Sequence, residues 1–363
     1  MYKIPEQYYL KTVDWAMEAA TSELYELNDL YKVVYPAETS LLPTPKGLES
    51  ARWPLECKID EAFVAIIPYG RVVTGNCYVV TPNHKRLYDL EFAYEYPFTE
   101  LPPFEYSEET IATVVWGWNL FEENIYTQNI YGHWFFDILP RFHLLEQCGI
   151  PIDKYLIGKL FHPYQYESLS LLGIPMDKLI EVDSDDYHLI AKQLLAPSVP
   201  VMLGKCPKWA YDYIRTRLKE DHPMQKVKGY DRIYITRKDA AKRYVVNEDQ
   251  VIELLKKRGF HVIVLTPLST QEKIAIFSSA QVIVAPFGSG SANIVFSEPG
   301  TKLIELSPIT VVDTYFWKLC SHGEIDYYEL ICDVEQPPKQ AVGSDNIVVD
   351  LARLEKTLQL AGL

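Results

Sequence analysis

A chain of 363 residues, 48% apolar and 13% aromatic, is long enough for two packed domains and rich enough to fill their cores. Its formal net charge of −14 argues against a nucleic-acid binder, whose footprint is a basic face, but a phosphorylated small ligand needs only a few local arginines. Six scattered cysteines (Cys57, Cys77, Cys148, Cys206, Cys320, Cys332) form no CxxC pair and share no histidine spacing that suggests zinc, so a reduced compartment is the simpler expectation.

The N-terminal stretch has no basic region followed by an apolar run, and no stretch of about 18 apolar residues follows it, so neither signal peptide nor transmembrane helix is expected. This predicts a cytoplasmic protein with at most peripheral membrane contact. Residues 1–50 read as a helix around Val13 to Leu27 and then an irregular segment broken by Pro36, Pro43 and Pro45. From Phe63 to Leu90 the pattern is β, with Gly75-Asn76 as a turn or bulge, and Ile111 to Trp116 reads as another strand. In Gly132–Arg141, GHWFFDILPR, helical spacing puts His133 and Asp137 on one face, and Pro140 kinks or restarts the helix. Beyond Gly149 come a strand at Tyr155–Ile157, a helix at Tyr164–Leu172, a strand at Leu179–Val182 and a strand-like run at Leu189–Leu195, a βαβ rhythm. Pro197, Pro200, Gly204 and Pro207 mark a boundary, which divides the chain into domains at 1–200 and 201–340 and a closing helix at 341–363.

The second half alternates more regularly. Arg232–Arg237 is a strand, and Glu248–Arg258 a helix with Asn247 as N-cap. Phe260–Leu265 is a strand, and Thr270–Ala280 a helix capped at Ser269 or Thr270 with Glu272 near its start. Val282–Ala285 is apolar on both faces, as in a covered parallel strand, and leads into Gly288-Ser289-Gly290-Ser291. A helix at Asn293–Phe296, a strand at Leu303–Leu306, a helix at Thr310–Cys320 and a strand at Tyr327–Cys332 follow. This is the pattern of a doubly wound α/β domain.

Ligands of such sheets bind outside the carboxyl ends of the strands. Thr236-Arg237 end one strand there, with Arg243 and Asn247 in the loop beyond. The glycine loop can bring bare N–H groups to a phosphate, beside the helix N-terminus at Asn293. Glu305, near a strand end, can accept from ribose hydroxyls. An ion-paired surface arginine and a capping glutamate are the ordinary readings, and the convergence of these features at one edge favours a diphosphate site. The first strand ends Thr-Arg-Lys-Asp rather than GxGxxG, which argues against hydride transfer, and no GxxxxGK[ST] exists. Asp183-Ser184-Asp185-Asp186 sits in a polar loop and reads as solvated, so no metal site is expected. His133 and Asp137 fit a general base and its orienting partner, or equally a structural hydrogen bond beside Trp134 and Phe136. His84, His143, His162, His188, His261 and His322 show no partner spacing. Trp116, Trp118 and Trp134 read chiefly as core, with sugar stacking as the alternative.

GHWFFDILPR, RIYITR followed by Arg243 and Asn247-Glu248, and AQVIVAPFGSGSANIVFSEPGTKLIEL together resemble family-61 glycosyltransferases over about residues 125–335. The resemblance implies a GT-B architecture: two Rossmann-like domains facing a central cleft, here with extra β-structure in the N-terminal, acceptor-side domain. It implies inverting transfer from a nucleotide-sugar, usually a UDP-sugar, to a glycan or glycolipid hydroxyl, with neither cofactor nor obligatory metal, and a place in capsular, O-antigen or exopolysaccharide synthesis. Carried over, the family's motif residues fall on His133, Asp137, Pro140-Arg141, Thr236-Arg237, Arg243 and Asn247; joined to the sheet-edge reading above, His133, Asp137 and Arg237 are expected to be catalytic, and Arg141, Thr236, Arg237, Arg243, Asn247, Phe287, Gly288, Ser289, Gly290, Ser291, Asn293 and Glu305 to bind the donor. The family commonly reads His-Gly-Ala-Gly where this chain has Phe287-Gly288-Ser289-Gly290. Phe287 cannot donate an imidazole hydrogen bond, so His133 or an arginine would carry more of the charge. CMP-, GDP- or dTDP-linked donors and a non-catalytic nucleotide- or glycan-binding protein are the alternatives.

Overall fold

A computed structural model describes the chain except for residues 1, 4, 23, 50–54, 75–76, 92–99, 117–128, 184–186, 200–204, 241, 312 and 338–343. The Gly75-Asn76 turn, Trp118, Ser184 to Asp186, Pro200 and Gly204 therefore lie outside the described residues. The fold is mixed α/β, in two compact units: residues 1–38 with 59–202, and residues 39–58 with 203–363. No helix among the described residues is long and apolar enough to cross a membrane.

The first unit is built on a ten-stranded sheet. Four parallel strands form one side: Glu105–Thr113, Lys154–Gly158, Leu179–Val182 and His188–Pro197. Their spatial order is third, second, first, fourth. The order reverses between the first and fourth strands, a topological switch point. The outer edge of His188–Pro197 pairs antiparallel with Ala62–Pro68 and Arg71–Val73, which begin the expected β extension.

Two N-terminal expectations change. Tyr31–Tyr35 is not irregular but a strand, paired antiparallel with Ala62–Val64 and Ala65; its β-branched and aromatic YKVVY run outweighs the nearby prolines, and Pro36 only bounds it. The expected single helix is two, Thr12–Ala20 and Leu27–Leu30. The first starts at Thr12 because the Asp89 carboxylate accepts its backbone N–H at 2.9 Å and its hydroxyl at 2.5 Å, a cap supplied from 77 residues away. Around His133 the helix runs as Tyr131–His133, a π-helical turn Trp134–Ile138, and Leu139–Cys148. Pro140 has no N–H to give the ladder, so the α-helix restarts beside a widened turn.

The second unit carries five parallel strands, β1 (Arg232–Ile235), β2 (His261–Ile263), β3 (Val282–Pro286), β4 (Lys302–Pro308) and β5 (Asp326–Val334), in the order 2-1-3-4-5. Helices α1 (Glu248–Lys257), α2 (Thr270–Ser279) and α3 (Tyr315–His322) connect them, and α4 (Leu351–Leu360) closes the chain. Lys46–Gly47 adds a parallel pairing on β5, and Ile347–Val348 an antiparallel one. All five residues of β3 are buried, as its two-sided apolar pattern requires. Ser269 caps α2 as expected: its hydroxyl accepts the Glu272 N–H at 3.2 Å and the Glu272 carboxylate accepts the Ser269 N–H at 2.8 Å. The predicted helix after the glycine loop is a 3₁₀ helix, Ser289–Phe296. The helix expected from Thr310 begins only at Tyr315, whose N–H is held by Asp313 at 2.7 Å.

Candidate active site

The order 2-1-3-4-5 reverses between β1 and β3, so the crevice beyond those two carboxyl ends is where a doubly wound sheet receives its ligand. Thr236-Arg237 leave β1 there and Phe287-Gly288 leave β3. The Arg237 guanidinium lies against the bare Cα of Gly288: a Cβ at that position would stand 2.2 Å from Nη1 and 2.9 Å from Cζ. Gly288 has extended backbone, φ 161° and ψ 169°, so its missing side chain matters for space and not for conformation. Arg237 donates from Nη2 to the Lys242 carbonyl at 3.2 Å, and its buried Nε has no partner among the described residues.

Arg243 completes the pair. It is held at φ 60°, a left-handed conformation that side chains other than glycine adopt at a cost. Its guanidinium sits 5.3 Å from the centroid of the Phe287 ring, which meets Phe316 edge-on at 5.7 Å. Its Nε is likewise buried and unpartnered. Burial lowers the pKa of both groups, that of Arg237 to about 10 with the charge of Arg243 as the next cause. Neither arginine is ion-paired among the described residues. Asp239 acts on Arg237 and Asp313 and Glu305 on Arg243 at longer range, and two like charges held together without a direct ion pair are suited to an anion. Beside them Ser291 is 1% exposed, its hydroxyl without a partner among the described residues, and the Asn293 amide braces the loop by donating to the Gly290 carbonyl at 2.9 Å.

In the first unit, His133 Nδ1 and the Asp137 carboxylate form a short hydrogen bond. The Asp137 side chain is 3% exposed and that of His133 43%. With a carboxylate as partner Nδ1 carries the proton, so Asp137 can orient the imidazole. Trp116 lies 6.2 Å from the His133 ring, centroid to centroid. Arg141, one turn past Asp137, is buried and donates to the carbonyls of Thr113, Val115 and Pro197.

Residues 131–304 match the family model Glycosyltransferase 61. The chain carries a family-61 glycosyltransferase domain. The match begins just before His133 and ends one residue before Glu305, so it spans the histidine–aspartate pair, both arginines and the glycine loop. The protein is a glycosyltransferase. A search of curated proteins finds no match to the chain.

Within this glycosyltransferase the predicted site residues separate into two groups. Arg237, Arg243, Phe287, Gly288 and Ser291 come together at the switch point of the second unit, with Ser289, Gly290 and Asn293 in the adjoining loop and 3₁₀ helix. The other four expected donor ligands are engaged inside the fold. The Thr236 hydroxyl donates to Glu248 at 2.8 Å. The Asn247 amide does not cap α1 but clasps Val349, donating to its carbonyl at 2.8 Å and accepting its N–H at 3.0 Å. Arg141 is tied to strand ends of the first unit. Glu305 is 1% exposed and accepts the Tyr327 hydroxyl at 2.6 Å, because β4 continues three residues beyond it. Burial pushes its carboxyl up to about 8, opposed by the Tyr327 bond and reinforced by Asp313 and Glu329.

Two contributors escaped the sequence reading. Glu248 is a buried carboxylate that collects both the Tyr234 and the Thr236 hydroxyls, at 2.8 Å each. The available signal was Tyr234 and Thr236 two residues apart, hence on one face of the strand. Phe316, which backs Phe287, left no signal at all.

Proposed function

We propose that the enzyme transfers a glycosyl group, with inversion, from a nucleoside-diphosphate sugar to a hydroxyl of a glycan or glycolipid. The observation that carries this reading is the pair of half-buried arginines, neither ion-paired among the described residues, one of them seated on Gly288, at the switch point of a parallel sheet. The diphosphate occupies the crevice over Gly288–Ser291, and Arg237 and Arg243 offset the charge that develops on it as the bond to the sugar's anomeric carbon breaks. The acceptor oxygen attacks that carbon from the opposite face, and its proton passes to His133, whose tautomer Asp137 sets. His133 is preferred to Asp137 as base because it is the exposed member of the pair. Arg243, stacked on Phe287, takes the place of the imidazole found in related glycine loops.

The reading includes a UDP-linked donor, a GT-B architecture, no obligatory metal, and a cytoplasmic role in the synthesis of an extracellular polysaccharide, with at most peripheral membrane contact. Thermal-shift measurements with UDP, GDP, CMP and dTDP test the donor site, because a ligand that binds the folded state raises Tm by mass action. UDP should give the largest shift, and Arg237→Ala and Arg243→Ala should abolish it. No shift with any nucleotide, or shifts that survive both substitutions, would refute the site. Turnover of the identified donor should be insensitive to EDTA, and a strict Mn²⁺ requirement would count against the metal-free mechanism.

A further inference from the structure

In the first unit the switch-point crevice lies between the carboxyl ends of Glu105–Thr113 and His188–Pro197. The Arg141 guanidinium sits at these two strand ends. Arg141 donates from Nη2 to the Thr113 carbonyl at 3.3 Å and the Pro197 carbonyl at 3.0 Å, and from Nη1 to the Val115 carbonyl at 3.3 Å. The residue is 2% exposed, its Nε is without a partner among the described residues, and the three carbonyl acceptors are neutral.

A cation buried among carbonyls alone is costly. The Cys77 thiol and the carboxylate of Asp137, four residues earlier across the π-helical turn, both favour its charge, and Asp137 is the carboxylate among them. Asp137 is the complement: Oδ2 is bound to His133 Nδ1, and Oδ1 is buried without a partner among the described residues. His133, Asp137 and Arg141 recur at intervals of four. The imidazole is half-exposed, the carboxylate buried, and the guanidinium anchored to two strands.

We propose that Arg141 is a positioning residue: fixed to the strand ends and facing Asp137 with positive charge, it holds that carboxylate as the acceptor of the His133 Nδ1 proton, which leaves the imidazole lone pair on Nε2. Burial lowers the Arg141 pKa to about 10, with Cys77 and Asp137 acting the other way, so the side chain stays charged at neutral pH. A purely structural bracket would also explain the three carbonyl contacts. The two roles separate in the tautomer of His133.

The catalytic consequence rests on His133 being the base, but the tautomer is measurable without turnover. Nitrogen-15 NMR of histidine-labelled full-length protein reports it, with the His133 signal assigned by its loss in His133→Gln. The wild type should show neutral His133 protonated on Nδ1, and Asp137→Asn should show the Nε2–H form. Arg141→Met should move the signal toward that form. Arg141→Lys, which keeps the charge and loses the bracket, should retain Nδ1–H while melting at a lower temperature. The proposal is overturned if the wild type itself is protonated on Nε2, if Arg141→Met leaves the tautomer unchanged, or if Arg141→Lys loses it. Should Arg141→Met fail to fold, the wild-type and Arg141→Lys spectra still decide. A normal tautomer response with no turnover on any donor would count against the assignment of His133 as base and leave the role of Arg141 intact.

Discussion

Gly288→Ala isolates the role of Arg237 with a single methyl group. The new Cβ would stand 2.2 Å from Nη1, whereas ordinary contact begins near 3.4 Å, so the guanidinium must retreat by 3.4 − 2.2 = 1.2 Å. Arg237 is long and flexible, and it can move. The backbone at Gly288 is extended, so alanine fits it without strain, and the loss of unfolded-state freedom should stabilise the protein by about 0.4–1 kcal/mol. Misplacing a group that neutralises the leaving diphosphate by about 1 Å is expected to lower kcat by about 10²-fold. Tm and initial rates should therefore separate, with the melting point equal to or above wild type and turnover far below it. Arg237→Ala should also lose about 10²-fold or more. Because both changes act through one guanidinium, the double variant should be little worse than Arg237→Ala alone. Activity of Gly288→Ala within threefold of wild type, or full additivity in the double variant, would refute the placement of Arg237 over the donor.

Three further outcomes follow from the same geometry. The Glu305 carboxyl is raised from its ordinary value of 4.5 to about 8, so the fold favours its protonated form. The stability contributed by that form is present below pH 4.5 and is lost as pH rises toward 8, by as much as roughly 4–5 kcal/mol on a scale of about 1.4 per pH unit. Glu305→Gln should flatten the Tm profile between pH 4.5 and 8; curves parallel to wild type would show that Glu305 does not titrate as described. His133→Ala and Asp137→Asn should each lower kcat by about 10²–10⁴-fold with little change in the nucleotide thermal shift, and a loss confined to KM would argue against proton transfer. Asn247→Ala should lower Tm by releasing Val349 while leaving nucleotide affinity within about twofold; a tenfold loss of affinity would restore Asn247 to the donor site.

Local pattern was enough for the five parallel strands of the second unit and for the helices α1 and α2. Val282–Ala285 is apolar on both faces, Ser269 and Glu272 form a capping box, and β-branched runs alternate with helical ones, each a relation within a few residues. Tyr31–Tyr35 is obscured for a local reason as well: the prolines at 36, 43 and 45 suggest an irregular segment beside an aromatic, β-branched run. Legibility fell where partners are distant in sequence. Asp89 starts the helix at Thr12 from 77 residues away, and Asn247 is held by Val349 across 102 residues.

The sequence by itself determined that residues 131–304 belong to a glycosyltransferase family, and it supplied the residues with the right chemistry: guanidinium groups, a bare glycine loop and a histidine four residues before an aspartate. Tertiary structure decided which of them are available. Side-chain type and strand-end position are local properties, but burial and hydrogen-bond partnership are set by neighbouring strands. Glu305 and Arg237 looked equivalent along the chain. The sheet buries the first against Tyr327, and seats the second, with no ion pair among the described residues, on Gly288.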